Sequence, residues 1–239
     1  MSPEEIRSQL DRLECAAGYH ALRFDGHQPL GGRVAVLSSA FNPPTLAHFA
    51  ILEAARAIDD IGAVAAMLTT RNVAKDVHGA PLEHRVGMLL AEAPRAGFAV
   101  LTTNAARFVD QAGALTASVA ATAFDFVAGY DTLIRLFDTR YYAEGAMRAE
   151  LEGFFAAHRL IAVNRAGFGP PEIAAFLGQP GVRPFAHRIV VSEIERSLAA
   201  LSSTASRDAL AAGASAPLSE SVRSYIRQHR LYGASGAER

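Results

Sequence analysis

Thr45 and His48 stand one helical turn apart, directly behind the turn Asn42-Pro43-Pro44. The apolar run Val34-Ala35-Val36-Leu37 precedes that turn, and Leu46, Phe49, Ala50, Glu53 and Ala54 follow at helical spacing. A buried strand therefore enters a tight polar turn, and a helix leaves it carrying a histidine in its first turn. Helix N-termini present unpaired N–H groups and the positive end of the macrodipole, which suits a phosphate. Two prolines stiffen the approach. By itself, a histidine at this spacing is as well explained by a core-facing helix turn. A second cluster, Ser202-Ser203-Thr204-Ala205-Ser206-Arg207, opens another predicted helix, with Gly213 as its stop. Ser203 and Thr204 lie one turn from Arg207, so hydroxyls, free N–H groups and a guanidinium can meet on a polyphosphate. The plainer alternative is an ordinary helix cap followed by a surface arginine.

These residues need a scaffold, and the chain supplies the pattern of one. Strands are expected at 33–38, 63–70, 98–103, 124–129, 159–164 and 187–193. Helices are expected at 3–16, 45–57, 81–93, 106–121, 144–157, 171–177, 204–212 and 219–230. Alternation of the two predicts an α/β fold, a Rossmann-like doubly wound and mainly parallel sheet with helices on both faces. Such sheets bind ligands at the carboxyl ends of their strands. Residues 1–32 read as an N-terminal helical extension, 33–232 as the main domain, 233–239 as a flexible tail, and 165–185, rich in Gly and Pro, as a largely irregular excursion.

The 239 residues carry a net charge of −1, with 50% hydrophobic and 20% charged residues. A chain of this length buries roughly 70% of its unfolded surface, enough for a real core. Near-neutral charge gives no bulk attraction to nucleic acid or to an anionic membrane. The single cysteine, Cys15, excludes an internal disulfide and a cysteine-based zinc cage. No run approaches the ~18 apolar residues of a membrane span. The expectation is a soluble protein of the cytoplasm or nucleus.

Phe41-Asn42-Pro43-Pro44-Thr45-Leu46-Ala47-His48 and Leu201-Ser202-Ser203-Thr204-Ala205-Ser206-Arg207 resemble the two signature motifs of the nicotinamide-nucleotide adenylyltransferases. The likeness is to the eukaryotic type, in a divergent, largely fungal branch, where threonine replaces the first histidine of His-x-Gly-His. Three further segments match in the same order: Glu83-His84-Arg85-Val86-Gly87-Met88, Val127-Ala128-Gly129-Tyr130-Asp131, and Val222 to Tyr232.

The resemblance implies adenylyl transfer from ATP to nicotinamide mononucleotide (NMN), giving NAD and pyrophosphate. Nicotinate mononucleotide is a second possible acceptor. It implies catalytic roles for His48, Thr45, Lys75 and Arg207. It implies ATP contacts from Ser39, Ala40, Phe41, Thr45, His48, Gly129, Asp131, Ser202, Ser203, Thr204 and Arg207. Asp131, Tyr141, Tyr142 and Asn72 would meet the acceptor. Mg²⁺ would be held mainly by phosphates, with no dedicated protein ligands. Lys75 also fits a solvated loop, Asp131 a helix cap for 132–137, and Tyr141 and Tyr142 packing before helix 144–157. The chain departs from the family in Ser39, Ala47 and Tyr130, and in having no tryptophan, with Thr102-Thr103-Asn104 and Tyr141-Tyr142 at the two expected places. Two alternatives therefore stand beside the first: a related nucleotidylyltransferase with another phosphorylated acceptor, and a nucleotide-binding or ATPase-like regulatory protein. No nucleic-acid or membrane partner is expected; a homo-oligomer is possible.

Overall fold

The computed structural model describes residues 1–26, 29–71, 79–121, 123–165 and 167–233. Asn72 and Lys75 lie outside the described residues, as does the tail beyond Gly233. The described strands are β1 (Ala21–Arg23), β2 (Arg33–Ser38), β3 (Ile61–Thr69), β4 (Ala99–Thr103), β5 (Ala123–Gly129), β6 (Arg159–Val163) and β7 (Ile189–Ser192). They form one sheet in the order β1-β4-β3-β2-β5-β6-β7, parallel except for β1. The chain winds outward from β2 through β3 to β4, then restarts at β5 and winds the other way. β2 and β5 are therefore the adjacent strands from which the two halves diverge, and a crevice opens beyond their carboxyl ends.

Alternation along each strand sends side chains to two cores. In β2, Ala35 and Leu37 join one core and Val34 and Val36 the other. The first core takes α1 (Pro3–Cys15), α2 (Leu46–Arg56), α3 (Leu82–Ala96) and α10 (Glu220–Gln228) through Ile6, Ile51, Leu89 and Ile226. The second takes α4 (Phe108–Ser118), α6 (Met147–Ala157) and α7 (Pro170–Leu177) through Leu115, Phe154 and Ile173. Burial of both sheet faces is why these strands read as near-continuous apolar runs.

Three elements differ from expectation. β1 is a three-residue antiparallel edge, too short to leave a periodic signal. The stretch 165–185 is less irregular than its composition suggests, because Ile173 and Phe176 anchor α7 in the core. Helix α5 (Tyr130–Leu136) is capped by Gly129, so Asp131 sits inside its first turn rather than serving as the cap. Two short helical pieces follow β7: α8 (Arg196–Ala199) and α9 (Ser203–Ala211). Among the described residues no helix is long and apolar enough to cross a membrane.

Candidate active site

Beyond the ends of β2 and β5 lies a cleft of about 140 Å³, lined by Ser38, Ser39, His48, Gly129, Tyr130, Asp131, Thr132 and Arg165 among others. The chain turns sharply here. Phe41 adopts φ +43, a left-handed conformation uncommon outside glycine, and its buried ring lies 4.9 Å from the His48 ring. Thr45 is the N-cap of α2, and His48 falls in its first turn.

His48 is 3% exposed, and its Nδ1 accepts the Thr45 backbone N–H at 3.0 Å and lies 2.9 Å from Thr45 Oγ1. A backbone donor on Nδ1 leaves the proton on Nε2, which donates to Ser39 Oγ at 3.3 Å on the cleft side. Burial, helped by the nearby Arg165 charge, pushes the imidazole down to about 3. The group is therefore a neutral N–H donor of fixed tautomer. Thr45 is fully buried, so its hydroxyl orients the imidazole.

Arg165 is the functional candidate that sequence reasoning missed. Its Nη2 donates to Leu201 O at 3.3 Å, and a Cβ at Gly129 would meet its Cδ at 3.3 Å. A side chain at Gly129 would thus crowd Arg165, while the backbone there has no unusual φ. Burial lowers the Arg165 pKa, and Asp131 opposes the shift. The only local signal was a basic residue just past the end of a predicted strand.

Across the cleft, Ser202 caps α9 by accepting the Ala205 N–H at 3.1 Å. Ser203 Oγ donates to Pro43 O at 2.8 Å, and Arg207 Nη1 donates to Asn42 O at 2.7 Å. Arg207 Nη2 also reaches Thr204 Oγ1 at 3.2 Å. The two motifs, some 160 residues apart, are therefore bonded to each other through the turn's own carbonyls. Ser39 is half-buried beside His48, and Ala40 is exposed at the rim.

A second cleft of about 160 Å³ adjoins the first. Both are lined by Thr132, and the second adds Arg107, Phe108, Arg135, Tyr141 and Tyr142. Tyr142 donates its hydroxyl to Leu136 O at 2.5 Å, and the Arg107 guanidinium lies 5.7 Å above its ring. Burial pushes that phenol up to about 12. Arg107 is itself spent on Asp110 and Glu150, at 2.8 and 2.9 Å. Asn104 is fully buried and holds the N-terminal segment, accepting from His20 N at 2.8 Å and donating to Gly18 O at 2.9 Å. It therefore has no side chain to offer this cleft.

No family model matches the chain. Over 133 residues, 54% of this chain and 52% of the relative, it is 31% identical to a Schizosaccharomyces pombe protein named as a putative nicotinamide mononucleotide adenylyltransferase. The chain spans about half the length of that relative. Its fold matches Plasmodium falciparum nicotinic acid mononucleotide adenylyltransferase complexed with NaAD, at a TM-score of 0.61 and 15% identity. The same enzyme complexed with APC gives a TM-score of 0.59 at 14% identity. Each alignment covers 85% of this chain and 98% of the other. At such identity the likeness is one of fold.

Proposed function

We propose that this chain transfers the adenylyl group of ATP to NMN, releasing NAD and pyrophosphate. The observation that carries this function is the neutral, orientation-locked His48 N–H in a crevice shared with Arg165, with Arg207 bonded to the Asn42 carbonyl of the turn that leads to His48. The similarity to the fission-yeast protein supports it. A 5′-phosphate oxygen of the acceptor attacks the α-phosphorus of ATP. The bond to the bridging oxygen breaks, and that oxygen departs on pyrophosphate. No side-chain nucleophile is required, so the protein works by positioning and by donors aimed at developing charge. His48 donates from Nε2 to the α-phosphate. Thr45 and Phe41 hold the imidazole in place. Arg165 faces the same phosphate, and Arg207, with Thr204 and the α9 N-terminus, takes the leaving phosphates. Asp131 and Gly129 border the nucleotide.

Mg²⁺ fits this site as a companion of the phosphates. Asp131 is the one carboxylate among the described lining residues, and no group of three or more potential ligands occurs among the described residues. When bound, the ion would neutralise phosphate charge, and it takes oxygen and water ligands readily. The acceptor base would enter the second cleft beside Tyr141. An intracellular, soluble setting suits these substrates.

A different phosphorylated acceptor is the second reading. It is favoured by the absence of tryptophan and by the commitment of Asn104 to the N-terminal segment. Incubation with ATP, Mg²⁺ and NMN, and separately with nicotinate mononucleotide, should yield dinucleotide and pyrophosphate in equal amounts. ATP binding without either dinucleotide would favour another acceptor, or a regulatory role if no transfer is found at all.

A further inference from the structure

Arg85, on α3, is 3% exposed, yet it is poorly partnered. Its Nε donates to Ala80 O at 2.7 Å, and its buried Nη2 finds no acceptor among the described residues. Among the described residues no carboxylate pairs with Arg85, Arg207 or Arg165, whereas the half-buried Arg33, Arg107 and Arg159 each have at least one. The nearest acid in sequence, Glu83, is taken by Arg7. A buried guanidinium without an anion is costly, and a second cation nearby raises the cost.

That second cation is Arg207. Its charge is felt at the Arg85 guanidinium, and both guanidiniums are felt at the Tyr232 hydroxyl. A bonded frame holds them around Asn42. Asn42 Oδ1 accepts from Tyr232 Oη at 2.8 Å and from Ala80 N at 3.2 Å, while its carbonyl takes Arg207. Gly79 makes the frame possible, since a Cβ there would sit 2.5 Å from Asn42 Oδ1. Two guanidiniums with no carboxylate among the described residues, the buried Arg85 Nη2 with no acceptor among them, and the α9 N-terminus are the donors that a polyanion would use.

We propose that Arg85 is a second phosphate-binding arginine, pairing with Arg207 on the terminal phosphate of ATP and so on the departing pyrophosphate. This assignment rests on the nucleotide-binding reading above. Calorimetric titration of the wild type, Arg85→Met and Arg85→Lys with tripolyphosphate, ATP and AMP tests it. Arg85→Met keeps the apolar stem and should weaken tripolyphosphate and ATP about ten- to a hundredfold, the usual worth of a charge-assisted hydrogen bond. AMP should move less than twofold. Arg85→Lys, which keeps the charge and loses the fork, should fall between for tripolyphosphate and should decide the matter if the methionine variant is unfolded. Unchanged tripolyphosphate affinity in a folded variant would overturn the assignment. So would equal losses for ATP and AMP, which would mark Arg85 as packing only, and so would a wild type that does not bind tripolyphosphate. A wild type that binds tripolyphosphate through Arg85 but makes no dinucleotide would keep Arg85 and remove the transferase function. Dinucleotide synthesis with tripolyphosphate binding untouched in Arg85→Met would do the reverse.

Discussion

The two adjoining clefts are built on different principles. The first is fixed and holds a cation, with His48 held by Thr45 and Arg165 bonded to the Leu201 carbonyl, and Arg207 braces the turn that leads to His48 through the Asn42 carbonyl. The second is aromatic, and its deepest cation, Arg107, is neutralised by Asp110 and Glu150. Stabilising a developing phosphate charge demands donors at defined positions, because electrostatic gain depends on preorganisation. Accepting a planar base demands a face of the right size, which several residue types can supply. The first cleft therefore tolerates few residue types at each position, whereas the second could be lined by several.

Breaking the first cleft should have the largest effect. His48→Ala should lower turnover ~10²–10³-fold, the typical cost of one preorganised donor, with the fold intact by circular dichroism. Near-normal turnover in the folded variant would remove His48 from the mechanism. Arg207→Ala should raise the KM for ATP about ten- to a hundredfold while leaving that for the mononucleotide nearly unchanged. The opposite split would mean that the two subsites are interchanged.

Effects on the second cleft should be smaller and should separate its two tyrosines. Tyr141→Leu is expected to raise the acceptor KM about three- to tenfold, the worth of one stacked pair, with ATP unaffected. Tyr142→Leu should chiefly lower the melting temperature, because its hydroxyl is tied to Leu136 O and Arg107 covers its ring. Loss of acceptor affinity in the Tyr142 variant alone would exchange their roles.

The mildest test leaves turnover aside. His48 is held down to about 3 in the folded state from an ordinary value of 6.5. Below pH 6.5 the unfolded chain takes up a proton that the folded chain refuses, so stability drains away as pH falls toward 3. The slope should be about 1 kcal/mol per pH unit. Denaturant titrations at pH 7, 6 and 5 should show a shallower decline for His48→Gln than for the wild type. Equal slopes would mean that the imidazole is not buried in solution.

The legible parts of this molecule were the local ones. The turn from Ser38 to His48 could be read because a strand's apolar run, a proline-stiffened turn and a helix start are written in neighbouring residues. Arg207 could be read because it follows Ser203 by one turn. Arg165 could not, since its partner carbonyl belongs to Leu201 and its charge reaches His48 only through the fold. Nor could Asn104 be seen as spent on residues 13–20, or β1 as an edge strand beside β4.

By itself the sequence determined the alternation of strands and helices, the two helix-start motifs and the positions of their donors, all of which follow from periodicity, capping and turn chemistry over a few residues. Only the tertiary structure decided which arginines meet a carboxylate among the described residues, that the Tyr142 hydroxyl is tied to Leu136 O, and that Asn42 is the hub joining Arg207, Ala80 and Tyr232. Charge pairing and burial depend on groups brought together across the sheet, and no local pattern records where a distant carboxylate or carbonyl will lie.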